Sequence, residues 1–343
     1  MSPSTPALSR SVAVRPWREG DDRALAQVLP DPQSPAQLAA RALLREPGES
    51  PLIRTVVAVV DSVVVGAAAV AASPAHPTRA WVHVEVAPGE RRTGVGSALL
   101  EAAVAEAAGT PLEGLGLRTR IVADDSAGGT FARAHGFTDL FTTRIVRIDA
   151  AALGGAGVDR TEDLQVIDTG SVALTQAFAG WYERVNALDP AAPMSIGQVN
   201  TRFLSEAAGA HGAALWRPAG EDVGAGEPDL NKRPVTAFAV SYAQRHDEEA
   251  GTPAQGGLAD GGAAVGGDDV FAATGGEDAT ELTVGSIDGN LEDLRSLIAR
   301  LSVDTPVVVE VTDAMETESA LVDELLAAGT ARVLTAYTTL VRD

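Results

Sequence analysis

The chain has 343 residues, more than one hydrophobic core usually organises, so two domains of about 150 residues each are expected. With 26 basic against 47 acidic residues the net charge is −21, which opposes binding to nucleic-acid phosphates or to an anionic membrane. The absence of cysteine excludes disulfides, thiolate metal sites and a cysteine nucleophile, and aromatics at only 4% leave Ala, Val and Leu to build the interior.

The N-terminus MSPSTPALSRSVAVRP has no charged segment leading into an apolar one, and no run of ~18 apolar residues follows, so a soluble cytoplasmic protein is expected. VAVRPWREGDDRALAQVL (12–29) begins as a strand, turns at Arg18 to Asp21 and continues with the helical spacing of Leu25, Val28 and Leu29. RTVVAVVDSVVVGAAAVAAS (54–73) reads as a hairpin around Asp61 and Ser62. A strand follows at RAWVHVEV (79–86), then a loop, then a helix over 96–108. A strand at 117–124, a short helix at 126–137 and a closing strand at 141–149 complete the first half. The fold class is α/β in the layered α+β sense, each half a mixed, mostly antiparallel sheet flanked by helices.

The Gly-Ala segment 150–157 is the expected linker, with domains over 1–150 and 158–343. Beyond it the pattern partly repeats: LQVIDTGSVALTQAFAGWY (164–182) parallels the first strand and helix, and PVVVEVTDAMETESALVDELLAAG (306–329) parallels the strand and helix at 117–137. Acidic, Gly-rich stretches at 218–234 and 246–281, the latter with a short strand at Val270 to Ala273, are expected to be exposed, mobile loops.

The stretch EVAPGERRTGVGSALL (85–100) carries the functional signal. A strand, a Pro-Gly turn, two glycines and a helix start direct unpaired N–H groups and the positive helix end at an anion, with Arg91 and Arg92 adding charge at the rim. Gly94 and Gly96 are expected to keep side chains from standing between backbone and ligand. No lysine follows either glycine, which sets aside the Walker loop, and Leu99 stands where the dinucleotide fingerprint wants its third glycine.

Arg91-Arg92-Thr93-Gly94-Val95-Gly96 resembles the Q/R-x-x-G-x-G/A signature of the GNAT superfamily of N-acetyltransferases. The strand ending Val86-Ala87-Pro88, the element order of residues 11–149, and Phe131 with His135-Gly136-Phe137 are similar to that family as well. Two such halves resemble tandem acyltransferases of the mycothiol synthase layout, but here the cofactor motif lies in the N-terminal half, which argues against that specific activity. The resemblance implies two GNAT-like domains and acetyl-coenzyme A as co-substrate. Its diphosphate would lie on the amides of Arg91, Arg92, Thr93, Gly94, Val95, Gly96 and Ser97, and its pantetheine along Val84, Glu85 and Val86, with an N–H near Val86 facing the thioester oxygen.

Attack on a thioester needs the neutral amine, so a base is expected. Trp81, His83 and Glu85 alternate onto one strand face, making Glu85 or His83 the candidate base. The plainer alternative is a solvated or salt-bridged Glu85 and a His83 satisfied by a neighbour. The family's tyrosine acid falls at Ala132, and His135 at a helix end reads as a capping cation.

In the second half, ELTVGSIDGNLEDLRSLI (281–298) lacks the signature and carries Asp288, Glu292 and Asp293, which would repel a diphosphate. That half is expected to be a degenerate copy bracing the first and walling the acceptor pocket. Trp181 and Tyr182 read as core. Asp124-Asp125 and Asp268-Asp269 are weak cation candidates, and the five histidines show no metal spacing. The expected function is acetyl transfer to a primary amine of a small molecule or peptide. Acid-rich walls would favour cationic acceptors, and the alternative is a non-catalytic acyl-coenzyme A sensor or assembly module.

Overall fold

The computed structural model describes residues 12–33, 35–122, 126–219, 230–242 and 278–343. The chain divides into two compact units, one running to Arg120 and taking in Ala127–Thr138 and Leu340–Asp343, the other holding Ile121–Ser126 and Asp139–Thr339. The division follows strands, so the chain passes between units within the expected first domain as well as near its C-terminus.

In the first unit, β1 (Val12–Pro16) leads through a turn at Gly20 into α1 (Asp21–Val28) and α2 (Pro35–Arg41). Asp21 is buried in that turn, where it accepts both Arg15 guanidinium nitrogens at 2.7 Å and the Arg18 amide. After β2 (Gly48–Glu49), the β-branched runs form β3 (Leu52–Val60) and β4 (Val63–Ala71). Asp61 and Ser62 join them with φ of 48° and 68°, the paired left-handed residues of a hairpin turn whose twist matches its strands. β5 (Arg79–Val86), α3 (Val95–Glu106), β6 (Gly116–Val122) and α4 (Ser126–Ala134) follow. Each lies within a few residues of its expected place.

The first unit's sheet runs β1-β3-β4-β5-β6, antiparallel up to β5 and parallel between β5 and β6. As composition implied, its core is aliphatic: Ala67, Ala69 and Ala71 of β4 are buried, and α3 buries Val95, Leu99, Leu100 and Ala103. Gly66 lets this packing close, since a Cβ there would stand 2.6 Å from Glu85 O and 3.2 Å from the Leu99 side chain.

The second unit takes most of β7 (Thr138–Ile148), then β8 (Leu164–Ile167), α5 (Val172–Val185), the short α6 (Ile196–Val199), β9 (Ala210–Trp216), β10 (Ala237–Tyr242) and β11 (Thr280–Ser286). It closes with α7 (Leu291–Leu301), β12 (Val307–Thr312), α8 (Glu316–Ala328) and β13 (Ala331–Arg342). Its strands run β13-β7-β12-β11-β10-β9-β8, with β11 parallel to β12.

Here the interior departs from the aliphatic expectation. Phe178 packs within 5.2 to 5.6 Å of Phe203, Trp181 and Phe238, and Tyr182 stacks on the same group, so this core has an aromatic centre. The loops expected at 218–234 and 246–281 fall largely outside the described residues, as do the strand expected at 270–273 and the pairs Asp124-Asp125 and Asp268-Asp269.

Candidate functional site

β5 pairs with β6 at Arg79, Ala80 and Trp81 and no further, so the two parallel strands splay beyond Trp81. On its other side β5 stays paired with β4 through Val86, opposite Gly66. The Ala87 amide donates to Val65 O at 2.8 Å, and that bond fixes the phase of the ladder. Antiparallel ladders alternate, so Trp81, His83 and Glu85 direct their backbone groups at β4, while those of Val82, Val84 and Val86 face the splay. Val84 and Val86 therefore offer N–H groups along an edge that has no partner strand among the described residues. Glu85, expected on that edge, does not, because its backbone is turned to β4. The Val86 carbonyl accepts Arg91 Nε at 3.1 Å.

The edge leads through a 3₁₀ turn (Pro88–Glu90) to the first turn of α3. Thr93 Oγ1 donates to Glu90 O at 2.7 Å and holds the loop. Arg92 and Gly94 have φ of 68° and 91°, and alternation of right- and left-handed residues turns successive amides into one concavity. Arg92 is a non-glycine residue in a costly conformation, a kind of strain that gathers at functional sites. Gly94 is the N-cap and has no side chain to bond the helix amides. Among the described residues, no side chain is hydrogen-bonded to the amides of Val95, Gly96 or Ser97, so the exposed loop presents uncapped donors on the positive end of a 12-residue helix.

Gly94 takes a left-handed backbone angle that favours glycine, and the space beside it is open. Gly96 departs from its expectation. A Cβ there would lie 3.1 Å from the Phe131 ring, so this glycine lets α4 pack on the first turn of α3. The contact sets His135 over the same turn, with its Nε2 3.0 Å from Ser97 Oγ and its ring centroid 4.5 Å from that of Phe131. His135 was expected as a cap and is instead part of the loop's surroundings. Ala132 is buried.

On the opposite face of β5, Arg41 of α2 binds both carboxylate oxygens of Glu85, Nε to Oε2 at 3.0 Å and Nη2 to Oε1. Burial alone would raise the Glu85 pKa from 4.5, but His83 and Arg41 outweigh it and bring it to about 2. At 3.6 Å from Oε2, His83 Nε2 is beyond hydrogen-bonding distance, so the direct bonds that hold the proton off are those of Arg41. Farther along, Arg118 lies 3.9 Å and Arg120 5.5 Å from the Trp81 ring centroid.

The second unit repeats the corner and fills it. β11 and β12 pair at Thr280, Glu281 and Leu282 and then splay. Ile287 N donates to Thr236 O at 2.7 Å, which turns the backbone groups of Ser286 into the splay, as those of Val86 are turned in the first unit. The Ser286 amide donates to Glu318 Oε1 at 2.7 Å, its carbonyl accepts Arg184 Nη2, and Trp181 Nε1 donates to the same Glu318 oxygen at 3.0 Å. Trp181 is fully buried and Tyr182 nearly so, as expected of core residues.

At the following helix, Asn290 Oδ1 accepts the amides of Glu292 and Asp293 at 3.0 and 3.2 Å, and Asp288 accepts that of Asn290. Asp293, expected to repel an anion, is buried and paired with Arg160. Self-capping thus adds to the exposed carboxylates of Asp288 and Glu292 as an obstacle to an anion. Sequence reasoning missed Arg41 and Glu318, each far in the chain from its partner. Among the described residues no group of His, Asp and Glu is placed to hold a metal, and no helix is long and apolar enough to cross a membrane.

Residues 51–139 match the family model described as Acetyltransferase (GNAT) domain. No curated protein matches significantly. Among solved structures, a GCN5-related N-acetyltransferase from Sphaerobacter thermophilus superposes with a TM-score of 0.51 at 13% identity, over 96% of this chain and 95% of that one. A tandem GNAT protein from the clavulanic acid biosynthesis pathway gives 0.46 at 14% identity over 96% and 98% of the two chains. Eis1 from Mycobacterium abscessus gives 0.42 at 16% identity over 97% and 73%. At such identities the likeness to the first of these is one of fold.

Proposed function

From a chain that carries a GNAT acetyltransferase domain over residues 51–139, we propose an acyltransferase that uses its first unit to move acetyl from acetyl-coenzyme A to a primary amine of a small molecule or peptide. The observation that carries this reading is the coincidence, in one unit, of an unpaired strand edge and an uncapped helix turn.

The loop amides from Arg91 to Gly94 and those of Val95, Gly96 and Ser97 would hold the diphosphate, with Arg91 and Arg92 at the rim. Val84 and Val86 would bond the pantetheine as an added strand. The cofactor supplies an activated acyl group as a thioester. Val86 N–H is the donor aligned to stabilise an oxyanion developing at the thioester carbonyl, and the face bearing His83 and Glu85 removes the proton from the acceptor. The second unit binds no cofactor in this reading, because its equivalent amides are bonded internally.

Calorimetric titration of acetyl-coenzyme A into wild type and Gly94→Trp, with circular dichroism on both, tests the site. One site per chain, lost in the folded variant, is the expected outcome; no binding by wild type overturns the reading. One observation favours a second: the buried Ala132 offers no hydroxyl to a leaving thiolate, which suits a non-catalytic acyl-coenzyme A binding module. Sustained coenzyme A release with any primary amine excludes that alternative, whereas tight binding with background hydrolysis alone supports it.

A further inference from the structure

We infer that Arg41 decides which group accepts the proton: it fixes the Glu85 carboxylate as a permanent anion beside His83 Nε2, so that His83 takes the acceptor's proton on Nδ1. The inference rests on the acyl-transfer reading and goes beyond it in separating two residues that the strand alternation leaves equivalent.

The first step concerns Glu85. Both its oxygens receive Arg41 N–H groups, a planar bidentate fit that favours the charged form. Held as an anion on both oxygens, with its pKa lowered against burial by His83 and Arg41, it has too little proton affinity to serve as a base near neutral pH. Its remaining use is as a fixed negative charge.

The second step concerns the imidazole. His83 Nε2 is buried without a hydrogen-bond partner, 3.6 Å from Glu85 Oε2. A lone pair at Nε2 would face an anion across that gap and be repelled, whereas an N–H there is attracted. The neutral ring therefore carries its proton on Nε2, and a closing movement of less than about 1 Å makes the hydrogen bond. Nδ1 is left with its lone pair, and among the described residues it has no hydrogen-bond partner. The side chain is 18% exposed, so the ring can be reached.

Among the described residues, Glu85 of β5 stands beside the ring, Arg41 of α2 is bonded to Glu85, and Arg118 and Arg120 of β6 lie farther along the strand against Trp81.

The chemistry balances. An N–H bond of the acceptor ammonium breaks, its proton goes to His83 Nδ1, and the freed nitrogen lone pair forms the C–N bond at the thioester carbonyl. The carbonyl π pair moves to oxygen as the C–N bond forms and returns as the C–S bond breaks with its electron pair leaving as thiolate; the added nitrogen gives up its second proton to solvent, leaving a neutral amide, and the thiolate is protonated from solvent. Glu85 and Arg41 are positioning residues in this scheme, since they act only through the ring.

The first test needs no turnover. In full-length ¹⁵N-labelled protein, long-range ¹H–¹⁵N correlation with His83 assigned by its loss in His83→Gln should show the Nε2–H tautomer, and Glu85→Gln should shift it toward a mixture. An Nδ1–H tautomer in wild type, or one unmoved in Glu85→Gln, overturns the inference.

Coenzyme A release with a panel of primary amines then gives the kinetics. His83→Gln should lower kcat by about a hundredfold or more, as expected for loss of a positioned base, with KM for acetyl-coenzyme A little changed. Arg41→Gln should lower kcat and add a second ionisation to the acid limb of the pH profile; Arg41→Lys should recover part of the rate. Absence of acetyl-coenzyme A binding by calorimetry overturns the transfer reading and this inference with it. Binding with wild-type kcat in His83→Gln overturns the inference alone.

Discussion

After β5, Val86 turns its N–H toward a splay that no strand closes among the described residues, and the helix that follows begins at a glycine, with no described side chain bonded to its first amides. After β11, Ser286 turns its N–H the same way, but Glu318 accepts it and the next helix is capped by Asn290. Topology and ladder phase agree between the two corners. They differ in a few side chains, and those decide whether backbone donors remain for a ligand or are consumed by the fold. Shared architecture therefore says where a site can be, and the accounting of its amides says whether one exists.

The largest effect should come from removing the filler of the second corner. Trp181→Ala leaves a cavity in the aromatic core and is expected to cost about 3–5 kcal/mol, read as a lower urea midpoint. A near-wild-type midpoint would mean that Trp181 does not hold the corner closed.

Making the first corner resemble the second should cost less. Gly94→Asp places a carboxylate at the uncapped turn in a left-handed position that Asp tolerates. It is expected to weaken acetyl-coenzyme A binding by about thirtyfold, ~2 kcal/mol, in calorimetry. Unchanged affinity would detach the helix end from binding.

Asn290→Ala removes a cap bonded to two amides and should cost about 1 kcal/mol in the same urea assay, without creating a second cofactor site. A second binding event in that variant would break the comparison.

The smallest effect concerns pH. Burial holds the Glu318 carboxyl above its ordinary 4.5, against the pull of the Ser286 amide, so its contribution to stability is complete below 4.5 and is lost as pH rises through the higher folded value. Glu318→Gln should flatten the fall of the urea midpoint above 4.5 relative to wild type. An unchanged slope would show that Glu318 does not carry it.

Much of the first unit was legible because its signals are local. The Asp61-Ser62 hairpin, the bounds of β5 and the glycine at the start of α3 each depend on residues that are neighbours in the chain. Gly96 was visible as a glycine but not for its reason, since the Phe131 ring that needs the space comes from another helix. The alternation of Trp81, His83 and Glu85 placed them on one face, yet left the backbone direction of Glu85 and the state of its carboxylate open. Those depend on the β4 register and on Arg41, 44 residues away.

The sequence by itself determined the layered α/β class, the repeat of the corner and the absence of the signature in the second half, because periodicity, turn chemistry and glycine conformation act over a few residues. Only the tertiary structure decided which amides stay unbonded, that Asp293 is buried against Arg160, and that Arg41 takes Glu85. The physical reason is range. Hydrogen bonds and ion pairs between distant segments form only once folding has brought them within about 3 Å, and nothing in the local pattern of either partner encodes the meeting.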